Sequence, residues 1–297
     1  MTPEEALDTA TALPCWNGTV DGKPLEGGIT NHNILVQTDE GKFVVRLGQD
    51  IPEHGVMRWH ELAASKAANA AGISPGVFYH RQGVLVLEYV ESRALEETDL
   101  HQPEVLLSVV DLVRQAHKNV TMEMRGNVLS FWIFHVLRDY AGTLRDNGSA
   151  YIPKLGKLLE QADLLENAVG PVNLVFGHND LLPANILDDG ERYWLIDWEY
   201  AGFNSPLFDL GGLASNCGLD RQAEAKMLRA YFGNEPDNDL WRRYDAMKCA
   251  SLLRETMWSM VSEITSELDF DYSQYTEKNL DRYEEAIAGF FAKGSGK

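Results

Sequence analysis

A chain of 297 residues with 26 Lys and Arg against 45 Asp and Glu carries a formal net charge of −19. Its length suits about two domains or one large two-lobed unit, and 44% hydrophobic with 24% charged residues is material for an ordinary core. That balance excludes a disordered chain, a collagen-like repeat and a coiled coil, and the acidic excess speaks against nucleic acid as a partner, since phosphate contacts need clustered Lys and Arg.

The first ninety residues read as strands, a helix and strands again. The glycine-rich run Pro24-Leu25-Glu26-Gly27-Gly28-Ile29-Thr30-Asn31 opens onto a strand over Asn33–Gln37. The turn Asp39-Glu40-Gly41 then returns it as Lys42–Leu47, rich in β-formers. After Pro52, the stretch Glu53–Ala70 is dense in Ala, Leu, Lys and Glu and is predicted helix, stopped by Gly72 and Pro75. Gly76–His80 and Val84–Val90 follow as two strands about Arg81-Gln82-Gly83. The remainder is mainly helical, with apolar spacing of three and four near 103–118, 127–145, 151–168, 220–232, 239–267 and 273–292. Strand-like pieces interrupt it at Val172–Phe176, Asn185–Asp188 and Arg192–Trp198, the last two folded about Asp189-Gly190. A small β-rich lobe over 1–89 and a larger helical lobe over 90–297 should therefore meet near Glu88–Glu91, with a ligand cleft between them.

Cys15, Cys217 and Cys249 lie far apart without a C-x-x-C pair, so neither a zinc site nor a disulfide framework is expected. The N-terminus is acidic where a signal peptide is basic. The longest apolar run, around Val84–Leu87, falls well short of the roughly 20 residues that span a bilayer. A cytoplasmic protein without membrane insertion is the expectation.

Phosphoryl transfer from ATP needs a carboxylate that orients or deprotonates the accepting hydroxyl. It also needs oxygen ligands that hold Mg²⁺ against the phosphates. The segment His178-Asn179-Asp180-Leu181-Leu182-Pro183-Ala184-Asn185, followed by Leu195-Ile196-Asp197-Trp198, offers D-x4-N and then D. Asp180 heads a loop, Asn185 leaves it, and the hairpin about Gly190 brings Asp197 back beside them. Taken singly these are ordinary turn residues. Together on one strand–loop–hairpin they form a catalytic constellation.

The β-lobe supplies matching parts. Gly27-Gly28 let the backbone approach phosphates closely, and the Thr30 and Asn31 side chains can donate to them, although Gly-Gly by itself marks only a hairpin. Arg46 is a charge in the middle of the apolar strand Phe43–Leu47 and needs a partner. Glu61 on the following helix is the expected one, with Glu53 as the fallback. A strand lysine and a helix glutamate pair in this way in protein kinases, and a guanidinium suits two phosphate oxygens.

G-G-I-T-N, F-V-V-R-L, L-E-Y-V, H-N-D-L-L-P-A-N and L-I-D-W-E-Y-A-G-F-N-S-P-L-F-D-L together resemble the choline/ethanolamine kinase branch of the aminoglycoside-phosphotransferase superfamily, from about Gly27 to Tyr283. The resemblance implies a protein-kinase-like bilobal α+β fold: a small antiparallel N-lobe sheet with one helix, and a larger, mainly helical C-lobe. It also implies ATP with Mg²⁺ and transfer of the γ-phosphoryl group to a small molecule's hydroxyl. Carried over by motif, Asp180 is implied as catalytic base, Asn185 and Asp197 as metal ligands, and Arg46 as a phosphate contact. Leu87–Val90, with Glu88 and Tyr89, is implied as the hinge that takes adenine through its backbone. His178 and Asp209 are implied to brace the catalytic loop.

A quaternary ammonium offers no hydrogen bond, so its pocket needs aromatic faces and a carboxylate. Met257-Trp258-Ser259-Met260, then Phe270-Asp271-Tyr272-Ser273-Gln274-Tyr275, resembles W-x2-W-S-[IM]-V and F-x-Y-x2-Y of the eukaryotic choline kinases. Trp258 and Tyr275 match two aromatic residues that contact choline there, although on spacing alone Trp258 reads as core. Two positions depart from the pattern. Glu255 stands where it has its first tryptophan, and Asn216 where an acidic choline contact would fall. The negative charge is thus expected to have moved across the pocket, which favours an amine with N–H groups over a trimethylammonium.

The expected activity is an ATP·Mg²⁺-dependent kinase of choline, ethanolamine or a related amino alcohol. Alternatives are a kinase of another acceptor (thiamine, an aminoglycoside) and a non-catalytic nucleotide-binding scaffold. The aromatic tail suits an aminoglycoside groove poorly, and the co-occurrence of Asp180, Asn185, Asp197 and Arg46 speaks against a dead scaffold.

Overall fold

Short β-rich segments with alternating burial build a five-stranded antiparallel sheet in the computed structural model, which describes residues 1–25, 31–266, 268 and 270–294. The strands are β1 (Val20–Pro24), β2 (His32–Thr38), β3 (Gly41–Leu47), β4 (Val77–Arg81) and β5 (Val84–Glu88), in the order β1-β2-β3-β5-β4. β3 is the middle strand, with Val45 opposite Ile34 on one side and Val86 on the other. Side chains alternate across it. Phe43, Val45 and Leu47 point to an outer core completed by Ala6, Ala10 and Leu13, while Arg46 points to the opposite face.

That outer core rests on α1 (Pro3–Thr11), which the sequence reading lacks. Thr2 and Glu5 form a capping box and Pro3 takes the first helical turn. β1 is a second addition, a five-residue edge strand interrupted by Gly22 and ended by Pro24. The strand expected to reach Val90 ends at Glu88.

On the other face lies α2 (Arg58–Ala70). Its apolar residues Ala64, Ala67 and Ala68 belong to the core of the large lobe, as do Val56 and Ile73 on either side. Polar straps reinforce that junction. His60 Nε2 accepts the Leu129 N–H at 3.1 Å, Ile73 O accepts the Leu195 N–H at 2.8 Å, and Trp198 Nε1 donates to Ser74 Oγ at 3.2 Å. The element carrying Glu61 is therefore fixed to the large lobe, while the strand carrying Arg46 belongs to the sheet.

In the large lobe α3 (Pro103–Gln115) runs through a π turn at Ala116–Val120 into the single turn α4 (Thr121–Glu123). α5 (Ile133–Asp146), α6 (Ile152–Val169), α7 (Pro206–Asn216), α8 (Arg221–Phe232), α9 (Asn238–Thr265) and α10 (Tyr272–Gly294) follow. The helix expected from 127 starts at Ile133, because the preceding chain is held extended, with Phe131 N–H donating to Phe203 O at 2.9 Å. α7 is not read from sequence, since Pro206 and Gly211-Gly212 look like breakers. Ser205 caps it, and proline is tolerated in a first turn. α9 is buried on all sides, surrounded by α5, α6, α7 and α10. Short ladders β6 (Arg93–Ala94), β8 (Ile186–Asp188), β9 (Tyr193–Leu195) and β7 (Val175–Gly177), β10 (Gly202–Asn204) lie at the cleft. Among the described residues no helix is long and apolar enough to cross a membrane.

Two predictions concern stability. A Cβ on Gly211 would lie 2.9 Å from Lys248 Cα, whereas one on Gly212 meets nothing within 4 Å. Gly211→Ala should therefore cost about 1–3 kcal/mol through the α7–α9 contact, and Gly212→Ala should be neutral or slightly stabilising; calorimetric Tm values compare them. Burial also lowers the pKa of His60 to about 4, and that of His54, beside Arg254, to about 3. Both histidines bind protons more readily when unfolded, so their contribution is complete above about pH 6.5 and is lost as pH falls toward the folded values. In His60→Gln, the urea midpoint should fall less steeply between pH 6.5 and 4.5 than in wild type.

Candidate active site

β7 ends at Gly177 and the chain turns through Asn179 with φ at 64°, a left-handed conformation that costs a non-glycine residue strain. Hydrogen bonds hold it there. Asn179 Nδ2 donates to Tyr200 O (3.0 Å) and Gly202 O (3.1 Å), and its Oδ1 accepts from Asn204 Nδ2 (3.1 Å). Asp209, in the first turn of α7, accepts from the His178 N–H (2.8 Å), the Asn179 N–H (2.7 Å) and His117 Nε2 (2.8 Å). Burial pushes its carboxyl up, but His117 and these bonds outweigh burial and hold it below the usual carboxylate range. His178 Nε2 donates to Ile196 O at 2.8 Å, joining the loop to the segment that carries Asp197.

Asp180 emerges from this braced loop. The single 3₁₀ turn Pro183–Asn185 brings Asn185 back, and its Nδ2 donates to Asp180 O (3.0 Å) and Oδ2 (3.3 Å). Although one edge stays open, burial drives the Asp180 carboxyl up to about 8, with Arg254 opposing the rise and Glu255 adding to it.

Across the cleft, Arg46 Nε donates to Glu61 Oε1 (3.1 Å) and Nη2 to Asp197 Oδ1 (2.6 Å), with Glu199 Oε2 at 3.6 Å. Arg58 Nη1 donates to Glu61 Oε2 (2.7 Å) and Glu199 Oε2 (3.0 Å), and Asn31 Nδ2 reaches the same Glu199 oxygen at 2.9 Å. Burial disfavours the charge on Arg46, but Asp197, Glu61 and Glu199 together raise its pKa above the ordinary guanidinium value. Glu53, the fallback partner, stands exposed in the turn Pro52–His54. Glu199 and Arg58 are missed by sequence reasoning. The available signals were the second acid of D-W-E and an arginine opening the helix that carries Glu61.

Glu61, Asp197 and Glu199 each bring a carboxylate oxygen within 4.8 Å of the others. Oxygen-only donors of this kind fit a hard divalent cation such as Mg²⁺ better than zinc. Asp197 adopts a left-handed φ of 69°, again a strained conformation at the cleft.

A cavity of about 460 Å³ lies between the lobes. Leu25, Val44, Leu87, Leu187 and Ile196 give it apolar walls beside Glu88, Tyr89 and Val90. Arg46, Asp180, Asn185, Asp197 and Glu199 line it as well, and so do Tyr200, Arg254, Glu255, Trp258 and Tyr275. The Tyr89 N–H already donates to Lys42 O (3.1 Å), and the Glu88 carboxylate accepts the Gly76 N–H (3.2 Å).

Trp258 is almost entirely packed, 4% exposed, with Nε1 donating to Tyr200 OH at 2.9 Å. Glu255 is paired on both oxygens: Oε1 accepts from Tyr275 OH (2.7 Å) and Oε2 from Arg254 Nη1 (3.0 Å). Asn216 stands apart from the aromatic residues. It donates to Leu181 O (3.2 Å) and borders a narrower space of about 30 Å³ with Asp180, Ser251, Arg254, Glu255 and Arg282. Asn31 borders a different cavity behind α2, of about 320 Å³, which also touches Arg46 and Glu61. Gly28 and Thr30 lie outside the described residues.

Residues 23–228 match the family model for choline/ethanolamine kinase. The chain belongs to the choline/ethanolamine kinase family. It is 27% identical over 263 residues to protein LicA of Haemophilus influenzae, covering 86% of this chain and 76% of that one. With the probable ethanolamine kinase A of Dictyostelium discoideum it shares 27% identity over 296 residues, covering 88% and 84%. A choline/ethanolamine kinase family protein from Mesorhizobium loti, 26% identical, has the same fold with a TM-score of 0.76 over 97% of this chain and 95% of that one. Membership of this family makes the protein a phosphotransferase, an ATP-dependent kinase of the choline/ethanolamine and aminoglycoside phosphotransferase superfamily.

The brace under the loop yields a prediction. Asp209→Ala strands the buried His178 and Asn179 amides and His117 Nε2, each at a cost of about 1–3 kcal/mol. Urea denaturation should show a loss of roughly 3 kcal/mol or more.

Proposed function

We propose that the protein transfers the γ-phosphoryl group of ATP to the hydroxyl of an amino alcohol: choline, ethanolamine or a partly methylated relative. The observation that carries this reading is the position of Asp180, on one cavity wall with Arg46, Asn185 and Asp197 and also with Tyr200, Trp258 and Tyr275. Nucleotide belongs to the lobe over 1–89 and its border, acceptor to the lobe over 90–297. Glu88 and Tyr89 flank the adenine. Gly28, Thr30, Asn31 and Arg46 serve the phosphates, with Glu61 anchoring Arg46. Asn185 and Asp197 hold Mg²⁺, with Glu199 as a further carboxylate in reach. The ion, when bound, neutralises phosphate charge and fixes the leaving oxygen.

Asp180 takes the acceptor's proton. Its place on the braced loop, with Asn185 Nδ2 donating to Oδ2, holds the carboxylate toward the cavity for that step. Aromatic rings at Tyr200, Trp258 and Tyr275 suit a cationic group. Glu255, fixed by Tyr275 and Arg254, presents a carboxylate that an N–H can share and a trimethylammonium cannot, so amines retaining N–H are favoured. Asn216 lies beyond Asp180 and shapes that end of the acceptor site. ATP dependence and the scattered positions of Cys15, Cys217 and Cys249, without a C-x-x-C pair, fit a cytoplasmic enzyme.

A coupled ADP-release assay over ethanolamine, its mono- and dimethyl derivatives, choline, thiamine and an aminoglycoside tests the proposal. Turnover is expected with the amino alcohols, and kcat/KM should decline toward choline. Asp180→Asn should lower kcat by about 10²–10⁴-fold with ATP affinity nearly unchanged. Silence on every amino alcohol, or full turnover by Asp180→Asn, would sink it.

A further inference from the structure

Arg254 has no counterpart in that scheme beyond its bond to Glu255. It sits on α9 one turn before Trp258, is 4% exposed, and borders both the large cavity and the narrow space on either side of Asp180. Its guanidinium lies over the Tyr200 ring, 4.4 Å from the centroid, with Phe131 at 5.7 Å. Tyr140, Glu255, Tyr200 and Asp180 favour its charged form over the penalty of burial.

Among the described residues Nη1 is paired to Glu255, while Nε and Nη2 are sealed from solvent and meet no acceptor in hydrogen-bond geometry, with the neutral Tyr140 hydroxyl close by. These two N–H groups form the side-on fork of the guanidinium, the pair that meets both oxygens of a carboxylate in parallel. Among the neighbouring acceptors, Glu255 is held by Arg254 Nη1 and Tyr275, and Asp209 by the loop amides and His117. Tyr140 OH pairs with His54 Nδ1 at 3.2 Å and keeps a neutral lone pair toward Arg254, a weaker partner for a guanidinium than a carboxylate. The neighbouring donors Ser251, Asn216 and Arg282 are likewise bonded within the protein, to Lys248 O, to Leu181 O, and to Asn279 and Ser215 O.

We propose, resting on the assignment of this cavity to the acceptor, that Arg254 receives a carboxylate of the acceptor. The preferred substrates are then zwitterionic amino alcohols, hydroxy amino acids and their N-methylated forms, ahead of ethanolamine and choline. Three groups on one small carbon frame meet three adjacent side chains: hydroxyl at Asp180, ammonium at Glu255 and the aromatic rings, carboxylate at the Arg254 fork. Arg254 and Glu255 cancel each other's charge, as does a zwitterion. The narrow space of about 30 Å³ beside Arg254 suits a carboxylate oxygen or a water and is too small for a phosphate. Access requires the guanidinium to turn off the Tyr200 face toward either space, a side-chain movement. The chemistry is unchanged. The acceptor oxygen bonds to the γ-phosphorus as the bond to the β–γ bridging oxygen breaks, ADP leaves, and the hydroxyl proton passes to Asp180.

Matched acceptors that differ only by the carboxylate test this: L-serine against ethanolamine, and L-homoserine against 3-amino-1-propanol, by ADP release with the full-length protein. In at least one pair kcat/KM should be tenfold or more higher for the carboxylated member. Arg254→Met should bring the ratio within that pair to about one, acting through KM of the carboxylated member. Arg254→Lys, which keeps the charge and loses the fork, should lower the ratio in the same direction and covers the case in which Arg254→Met does not fold. Preference for the plain amino alcohol in both pairs overturns the inference and leaves the proposed function standing. An Arg254 variant that lowers both members equally also overturns it, since that is a structural role. No turnover of any of the four overturns the inference as well, and silence that extends to choline and the methylated ethanolamines overturns the proposed function itself.

Discussion

Among the described residues, Arg46 and Arg58 face Glu61, Asp197 and Glu199 in one buried cluster where the sheet, α2 and the segment after β9 meet. None of these charges is tolerable alone in such a place: a buried ion pair contributes little net stability, but removing one partner leaves an uncompensated charge. Their mutual need therefore fixes how β3 approaches α2 and where Asp197 stands. The cluster also carries one more negative than positive charge, and a divalent cation would turn that balance positive, toward an anionic phosphate. The net −19 of the chain as a whole repels an anionic nucleotide. Local features must hold it: the Arg46 guanidinium and the carboxylates that gather a metal.

The catalytic loop is made rigid by a different device. Asp209 accepts the His178 and Asn179 amides from α7, and the Asn179 side chain ties the loop to Tyr200 O and Gly202 O. The strain at Asn179 is thus sustained by the lobe's packing, which holds Asp180 in one orientation for the role proposed for it. Under the proposed function, the acceptor side is organised by charge pairing on α9: Arg254 and Glu255, adjacent in sequence, would give an aromatic pocket suited to a simple cation a fixed dipole.

Much of this was legible in the sequence, for local reasons. The loop from His178 to Asn185 and the return at Asp197 are a strand, a turn and a hairpin, whose geometry spacing alone defines. Arg46 announced itself as a charge in an apolar strand, and Glu61 as the acid one helix away. The fold class followed from the same pattern of strands, one helix, then helices. What was not legible depends on packing between distant segments. Arg254 gives no sign of burial in the helical pattern, and the rings of Tyr200 and Phe131, from segments distant in sequence, help to cover it. Glu255 reads as a free acid until Tyr275 and Arg254 are brought against it. α7 was hidden because Ser205 and Pro206 start a helix that Gly211 and Gly212 then allow to pack tightly.

Phosphorus NMR of the reaction products tests the central claim most directly, because it reads where the phosphoryl group goes. With ATP, Mg²⁺ and a ¹³C-labelled amino alcohol, the account predicts a new phosphomonoester resonance, coupled to the labelled hydroxyl carbon and growing in step with ADP. ADP accompanied only by inorganic phosphate, or ATP left intact with every amino alcohol, would contradict it.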